Sequence, residues 1–164
     1  MRVTGYGVIY NSSGIVRYEA SGVIKTTNQD TNLASRIKII LLGLEEVIEQ
    51  FKPDCVAIEK VFVNINPQST LLLGQARGAA ISAAVMQNLD VFEYTALQVK
   101  KSVVGMGHAS KSQVQIMVQK LLNLPSIPSS DSADALACSI CHANISGSIA
   151  KFGTGNRMKS GRII

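Results

Sequence analysis

The sequence predicts an α/β domain, a mixed sheet flanked by helices, and three stretches carry that expectation. Residues 3–25 read as strands paired around a turn, residues 31–51 repeat apolar side chains at a helical period, and Cys55-Val56-Ala57-Ile58 is a continuous apolar run suited to a strand buried on both faces. At 164 residues and 46% hydrophobic, the chain is the size of one domain with a substantial core, and no second domain is expected.

The elements follow in chain order. Val3-Thr4-Gly5-Tyr6-Gly7-Val8-Ile9-Tyr10 reads as a strand, Asn11-Ser12-Ser13-Gly14 as a turn and Ile15 to Ala20 as a second strand, with Val23-Ile24-Lys25 continuing an antiparallel meander. Gly5-Tyr6-Gly7 lacks the third glycine and the following helix of a dinucleotide fingerprint, so it carries no phosphate-binding weight. From Thr31 to Phe51 the apolar set Leu33, Ile37, Ile40, Leu41, Leu44, Val47, Ile48 and Phe51 marks one helix face, and Lys52-Pro53-Asp54 stops it. Glu59 then ends the buried strand. A carboxylate there lies where open α/β sheets hold their ligands; the alternative is an edge glutamate paired with Lys60.

Val61-Phe62-Val63-Asn64-Ile65-Asn66-Pro67 is too polar for core strand, and Phe62 either stacks on a nucleic-acid base or folds back onto the core. Gln68 to Gln87 reads as a helix of small residues. Glycine costs a helix about 0.5–1 kcal/mol relative to alanine, so Gly74 and Gly78 suggest close approach of another backbone, such as a second subunit. Val91-Phe92-Glu93-Tyr94 is a further strand, and Ala96 to Val103 a short helix bearing Lys100 and Lys101. A Gly105-Met106-Gly107-His108 loop follows, in which no role for His108 can be read. Ser110 caps a helix to Leu122 with Val114, Met117, Val118 and Leu121 inward. Lys111 in its first turn opposes the helix dipole, so it either faces phosphate or is simply solvated.

After Pro125 and Pro128, the alanine-rich run from Ser129 to Cys141 favours a helix capped by Ser130 or Asp131. Asp131 and Asp134 stand three apart on one face, either as dipole-complementing caps or as a working pair. Charge distribution favours the pair. Net charge is +5; residues 1–94 hold eight basic and nine acidic side chains, whereas residues 95–164 hold eight basic and only these two acids. A basic half whose sole carboxylates sit together is what a metal-dependent enzyme on a polyanion would show. Residues 1–146 form the expected domain, and 147–164, with Lys151, Arg157, Lys159 and Arg162 and no acid, the expected flexible basic tail touching nucleic acid. Cys55, Cys138 and Cys141 are expected to be reduced thiols. Cys138-Ser139-Ile140-Cys141-His142 matches a haem-attachment pattern but falls mid-helix, and is read as packing. No signal-peptide pattern or membrane-length apolar run is present, and a cytoplasmic protein is expected.

Six blocks in order then resemble the RuvC family of Holliday junction resolvases: Val3 to Ile9, Ala57 to Phe62, Gly74 to Gly78, Gln98 to Lys100, Lys111 to Gln115 and Asp131 to Ala137. The resemblance implies a ribonuclease-H-like fold, a homodimer built on the Gly74–Gly78 helix, and Mg²⁺-dependent paired cuts in four-way junction DNA. Two ions per site are implied, with Mn²⁺ a possible substitute, and a branch-migration helicase complex of the RuvA and RuvB type as partner. It places Glu59, Asp131 and Asp134 at three of four catalytic, metal-binding carboxylate positions, and Phe62, Lys100 and Lys111 at DNA-facing positions. Family members open with a buried central strand ending in an Ile-Asp-Pro-Gly motif, just before the block that begins here at Arg2. These 164 residues lack it, and with it the fourth carboxylate. The expected explanation is a start codon about ten residues upstream; the chain as given is expected to bind junctions weakly and to cut slowly or not at all. A catalytically impaired junction-binding protein, or another ribonuclease-H-like nuclease of the YqgF type, are the rival readings.

Overall fold

The computed structural model describes residues 3–26, 32–62, 66–152 and 161–164. The N-terminal strands are β1 (Val3–Ser12) and β2 (Ile15–Lys25), joined by a two-residue turn at Ser13 and Gly14 with φ of 53° and 89°. Two consecutive left-handed residues twist the hairpin in the hand that flanking strands prefer. The pairing is antiparallel from Val3↔Lys25 to Ser12↔Ile15, with one bulge: Val8 faces Ala20 and Ile9 faces Tyr18, leaving Glu19 as the extra residue.

Next come α1 (Leu33–Phe51), β3 (Cys55–Glu59), α2 (Pro67–Met86), β4 (Asp90–Tyr94), α3 (Ala96–Val104), α4 (Lys111–Leu121), α5 (Ser130–Phe152) and β5 (Gly161–Ile163). Local chemistry sets the helix starts. The Asn32 side-chain oxygen accepts from the Ser35 N–H and the Asn66 side-chain oxygen from the Ser69 N–H, while Thr95–Gln98 and Ser110–Gln113 form capping boxes. Pro67 sits in the first turn of α2, where its missing N–H costs nothing. At α5 the cap is Ser129, whose hydroxyl accepts from the Ser132 N–H at 3.3 Å, rather than Ser130 or Asp131; the helix therefore begins one residue early enough to put Asp131 in its first turn.

The five strands run in the order β2-β1-β5-β3-β4. β3 and β4 are parallel, β1 and β2 antiparallel, and β5 lies antiparallel to β1 and parallel to β3. Alternation sorts the side chains onto two apolar layers. Val8, Val56 and Ile164 face Val47 of α1 and Ala84 of α2; Ile9, Cys55, Ala57 and Ile163 face α3, α4 and α5. The result is a mixed sheet between helical layers, a ribonuclease-H-like arrangement.

One part of the expected tail is corrected. Within 147–164, α5 continues to Phe152 and residues 161–163 are a sheet strand, while 153–160 lie outside the described residues. Neighbours impose that strand. The Asp54 carboxylate accepts from the Arg162 N–H at 2.7 Å, the Asp54 N–H donates to the Arg162 carbonyl at 2.8 Å, and the Arg162 guanidinium reaches the bulged Glu19 at 2.6 Å. A glycine-rich basic segment has little strand propensity of its own, so the open edges of β1 and β3 supply the order.

α5 is the central helix. Leu136 and Ala137 are fully buried, and the Ser139 hydroxyl donates to the Gly7 carbonyl at 3.0 Å. Behind it, His142 hydrogen-bonds the Tyr94 hydroxyl through Nδ1 at 2.7 Å, lies 3.5 Å from the Cys55 sulfur through Nε2 and stacks on Phe92. Burial lowers the His142 pKa and so favours the neutral ring. All three thiols are free and buried, with Cys55 pushed up to about 12 by loss of water and the nearby Asp54 and Asp90.

The approach of α5 to β1 is close enough to demand glycine. A Cβ on Gly5 would collide with the Asp131 backbone carbonyl, and one on Gly7 would meet Leu136 at 2.7 Å. Gly5→Ala is expected to lower the melting temperature by about 2–12 °C, since overpacking against backbone costs about 1–3 kcal/mol. Gly147→Ala, with nothing within 4 Å of the added methyl, is expected to melt at or slightly above the parent. Thermal unfolding followed by circular dichroism checks both, and an unaffected Gly5→Ala would show that α5 lifts from β1 at no cost.

Candidate active site

The site is built where three elements end. β3 delivers Glu59 at its carboxyl end, the first turn of α5 delivers Asp131 and Asp134, and the opening residues of β1 pass beneath them. All three carboxylates line one cavity of about 510 Å³, together with Val3–Gly7, Lys60 and Phe62. They feel one another. The Glu59 pKa is raised by loss of water in the cavity and then by the Asp134 charge, against the opposing pull of Lys100 and Lys111. Asp134 is raised by burial and by Asp131, while Lys111 and Lys100 hold it down. Glu59 reaches solvent and Asp134 is half-buried, so the repulsion is real but screened.

Three carboxylates lining one cavity, two of them raised by burial and a neighbouring acid, offer hard oxygen donors of the kind that suit a divalent cation. Among the described residues no three His, Cys, Asp or Glu side chains stand close enough to form a ready-made cage.

The remaining expected residues surround this centre. Lys100 in α3 and Lys111 at the start of α4 act on both raised carboxylates, which puts their charge beside the site. Phe62 is 65% exposed at the cavity rim and does not fold back onto the core. Lys60 lines the cavity near Glu59, and no ion pair joins the two. His108 is exposed in the connection between α3 and α4. A Cβ added at Gly74 or Gly78 would meet nothing within 4 Å, and the two lie on a helix that also exposes Leu71 and Met86. Arg77 was not singled out as a site residue in the sequence, yet it lines the cavity and pairs with Glu93 of β4. The signal was available: it is the only charge in the twenty residues of α2.

Cys138, Cys141 and His142 are all buried, and both ring nitrogens of the histidine face protein partners. No helix among the described residues is long and apolar enough to cross a membrane.

A mixed α/β sheet with clustered carboxylates at the end of a parallel strand, flanked by lysines, defines the class of metal-assisted nucleases. Comparison with known proteins narrows it. The family model "Crossover junction endodeoxyribonuclease RuvC" matches residues 1–142. The RuvC of Methylobacillus flagellatus is 60% identical over 169 residues, spanning 100% of this chain and 94% of that protein, and the RuvC of an Azoarcus species is 57% identical, spanning 100% and 89%. Among solved structures, Thermus thermophilus RuvC in complex with a Holliday junction substrate superposes with a TM-score of 0.77 at 29% identity, covering 90% of this chain and 96% of that one. A second structure of the Thermus protein gives 0.77 at 31% identity, covering 96% and 94%. The chain belongs to the RuvC family of crossover junction endodeoxyribonucleases.

The raised carboxylates generate a stability prediction with a definite sign. A carboxyl whose folded pKa lies above its unfolded value favours folding when protonated, and that contribution is lost as pH rises through the folded pKa. Asp134→Asn is therefore expected to melt above the parent at pH 7 without metal, by about 1–4 °C given solvent screening. The difference should vanish below the ordinary carboxyl values of 4.5 and 3.8. Millimolar Mg²⁺ should raise the parent more than the variant. A variant less stable than the parent at pH 7, metal-free, would show that Asp134 is held by an attraction instead.

Proposed function

We propose that the chain is a structure-selective endonuclease that resolves Holliday junctions by paired, divalent-metal-dependent phosphodiester hydrolysis in DNA recombination and repair. The observation that carries this reading is the meeting of Glu59 with Asp131 and Asp134 in one cavity beside Lys100 and Lys111, in a chain of the RuvC family.

Glu59, Asp131 and Asp134 are the residues that would hold Mg²⁺, two ions per site, with Mn²⁺ as a substitute. When bound, the metal supplies an activated water and stabilises the departing oxygen of an in-line displacement. The chain's own residues do the rest. Lys100 and Lys111 draw the phosphate backbone toward the carboxylates, which would otherwise repel it. Phe62, exposed at the rim, offers a ring face to a base opened at the branch point. The uncharged stretches of α2, with Gly74, Gly78 and exposed Leu71, suit a second copy of the chain across a two-fold axis. Two such sites meet two like strands of a four-way junction, which makes the cuts symmetric. A RuvA and RuvB type helicase complex is the accompanying partner, and the cytoplasm, where three buried thiols stay reduced, is the setting.

Asp131→Asn is expected to lower Mg²⁺-dependent cleavage of a four-way junction by on the order of 100-fold or more, while junction affinity holds or rises because a negative charge near phosphate is gone. Gel-shift and strand-cleavage assays on the same preparations read the two quantities. Loss of binding together with cleavage would make Asp131 structural, and a parent chain that binds junctions without cutting under any divalent ion would make it a binding protein. Preference for four-way over linear duplex DNA separates a resolvase from a nuclease of the YqgF type. Lys111→Ala is expected to weaken binding and to reduce the slope of log affinity against log salt by about one; an unchanged slope would remove Lys111 from the DNA face.

A further inference from the structure

The connection between α3 and α4 presents an apolar tip inside a cationic face. From Tyr94 to Ser130 the chain carries four lysines, Lys100, Lys101, Lys111 and Lys120, and no acid. Lys100 lies in α3 and Lys111 opens α4, and both pull down the pKa of Glu59 and Asp134, so the face they share borders the acidic centre. Leu97 stands three residues before Lys100 and four before Lys101, on the same side of α3, and is 54% exposed.

Gly105 closes α3 in the left-handed region at φ 82°, which reverses the chain. Gly107 is then laid over Leu97, where a Cβ would stand 3.0 Å from the leucine Cγ. Beyond it Ala109 is buried, its N–H donating to the Met106 carbonyl at 3.4 Å, and Ser110 starts α4 with its capping box. The loop is thus fixed at both ends, while Met106 between its two glycines is 56% exposed. Single exposed apolar side chains are ordinary on a protein surface. Met106 and Leu97 differ in being neighbours across the loop and in sitting among lysines. The flanking glycines also leave the tip only one unbranched side chain wide. A DNA minor groove is about 6 Å across, too narrow for a helix but wide enough for such a tip. Proteins that read this groove set apolar wedges, Met and Leu among them, against its base steps.

We propose that Met106, backed by Leu97, is a minor-groove contact for a duplex arm of the junction, an apolar wedge set between phosphate strands held by Lys100 and Lys111. This rests on the reading of the Lys100–Lys111 face as a DNA face, and adds to it the groove that is entered and the side chain that enters it. Lysines on phosphates give an affinity that falls as salt rises, whereas an apolar contact adds an increment that salt leaves in place. The two contributions separate in one titration.

The full chain is titrated, by fluorescence anisotropy, into a fluorescein-labelled four-way junction with A·T-rich arms, in EDTA so that nothing is cut, over a series of salt concentrations. Met106→Ala is expected to bind about five- to tenfold more weakly at every salt concentration, with the slope of log affinity against log salt unchanged. Met106→Leu should stay within about twofold of the parent, and Leu97→Ala should lose affinity in the same direction as Met106→Ala. Netropsin, which fills the minor groove of A·T tracts, should weaken the parent by about fivefold or more and Met106→Ala by less. Parent affinity in Met106→Ala, an altered salt slope, or equal netropsin sensitivity in the two chains would overturn the proposal. So would a melting temperature that falls together with the affinity, because the methionine would then support the fold. A parent that binds no junction would instead overturn the DNA-face reading, and the wedge with it, which keeps the two failures apart.

Discussion

The contact on which the rest of the molecule depends is the approach of α5 to β1. Helix and strand come so close at Gly5 and Gly7 that no side chain fits between them, and the Ser139 hydroxyl bonds the Gly7 carbonyl across the seam. Closeness there fixes the height of the first turn of α5 above the sheet. The same helix is locked farther along by His142, which touches Tyr94 of β4 and Cys55 of β3. With two anchors, Asp131 and Asp134 have a defined position relative to Glu59, four residues beyond Cys55 on β3. The acidic centre is a consequence of packing rather than of any attraction among its members.

That order of causes explains why the site is electrostatically uncomfortable. Glu59 and Asp134 both sit above their ordinary pKa, with burial the largest cause and each other's neighbourhood the next for Glu59. Attraction would have lowered them. Lys100 and Lys111 offset part of the repulsion from a distance, lowering the pKa of both Glu59 and Asp134. Cations held at a distance leave room for phosphate and metal between opposite charges. A tight salt bridge would have consumed the same lysines.

Much of this was legible before any coordinates. Alternation and the helical period gave β1, β2 and α1 nearly residue for residue, Ser110 marked α4, and the apolar run ahead of Glu59 placed that carboxylate at a strand end. Phe62, Lys100 and Lys111 lie around the cavity or act on its acids. What escaped was whatever depends on distant parts of the chain. Gly161–Ile163 has no strand pattern in its composition, so its order is visible only once β1 and β3 expose edges for it. Arg77 looked like an ordinary residue in a small-residue helix, and only the fold turns it toward Glu93. The Ser129 cap was missed by one position because adjacent serines are equivalent as cap formers until the backbone chooses among them.

The two ends of the central sheet position bear on the same question from opposite sides. At one end β5 is held by Asp54, Glu19 and the Ala57 N–H, and there the sheet is satisfied. Toward the other, residues of β1 and β3 line the cavity that holds Glu59, Asp131 and Asp134. An anion-binding or metal-binding centre is most effective where its donors are rigid, and Glu59 is braced by β4, where it pairs with Tyr94 and the Lys60 N–H donates to the Tyr94 carbonyl at 2.7 Å. Tyr94, whose hydroxyl bonds His142 of α5 at 2.7 Å, thereby ties the strand that carries Glu59 to the helix that carries Asp131 and Asp134.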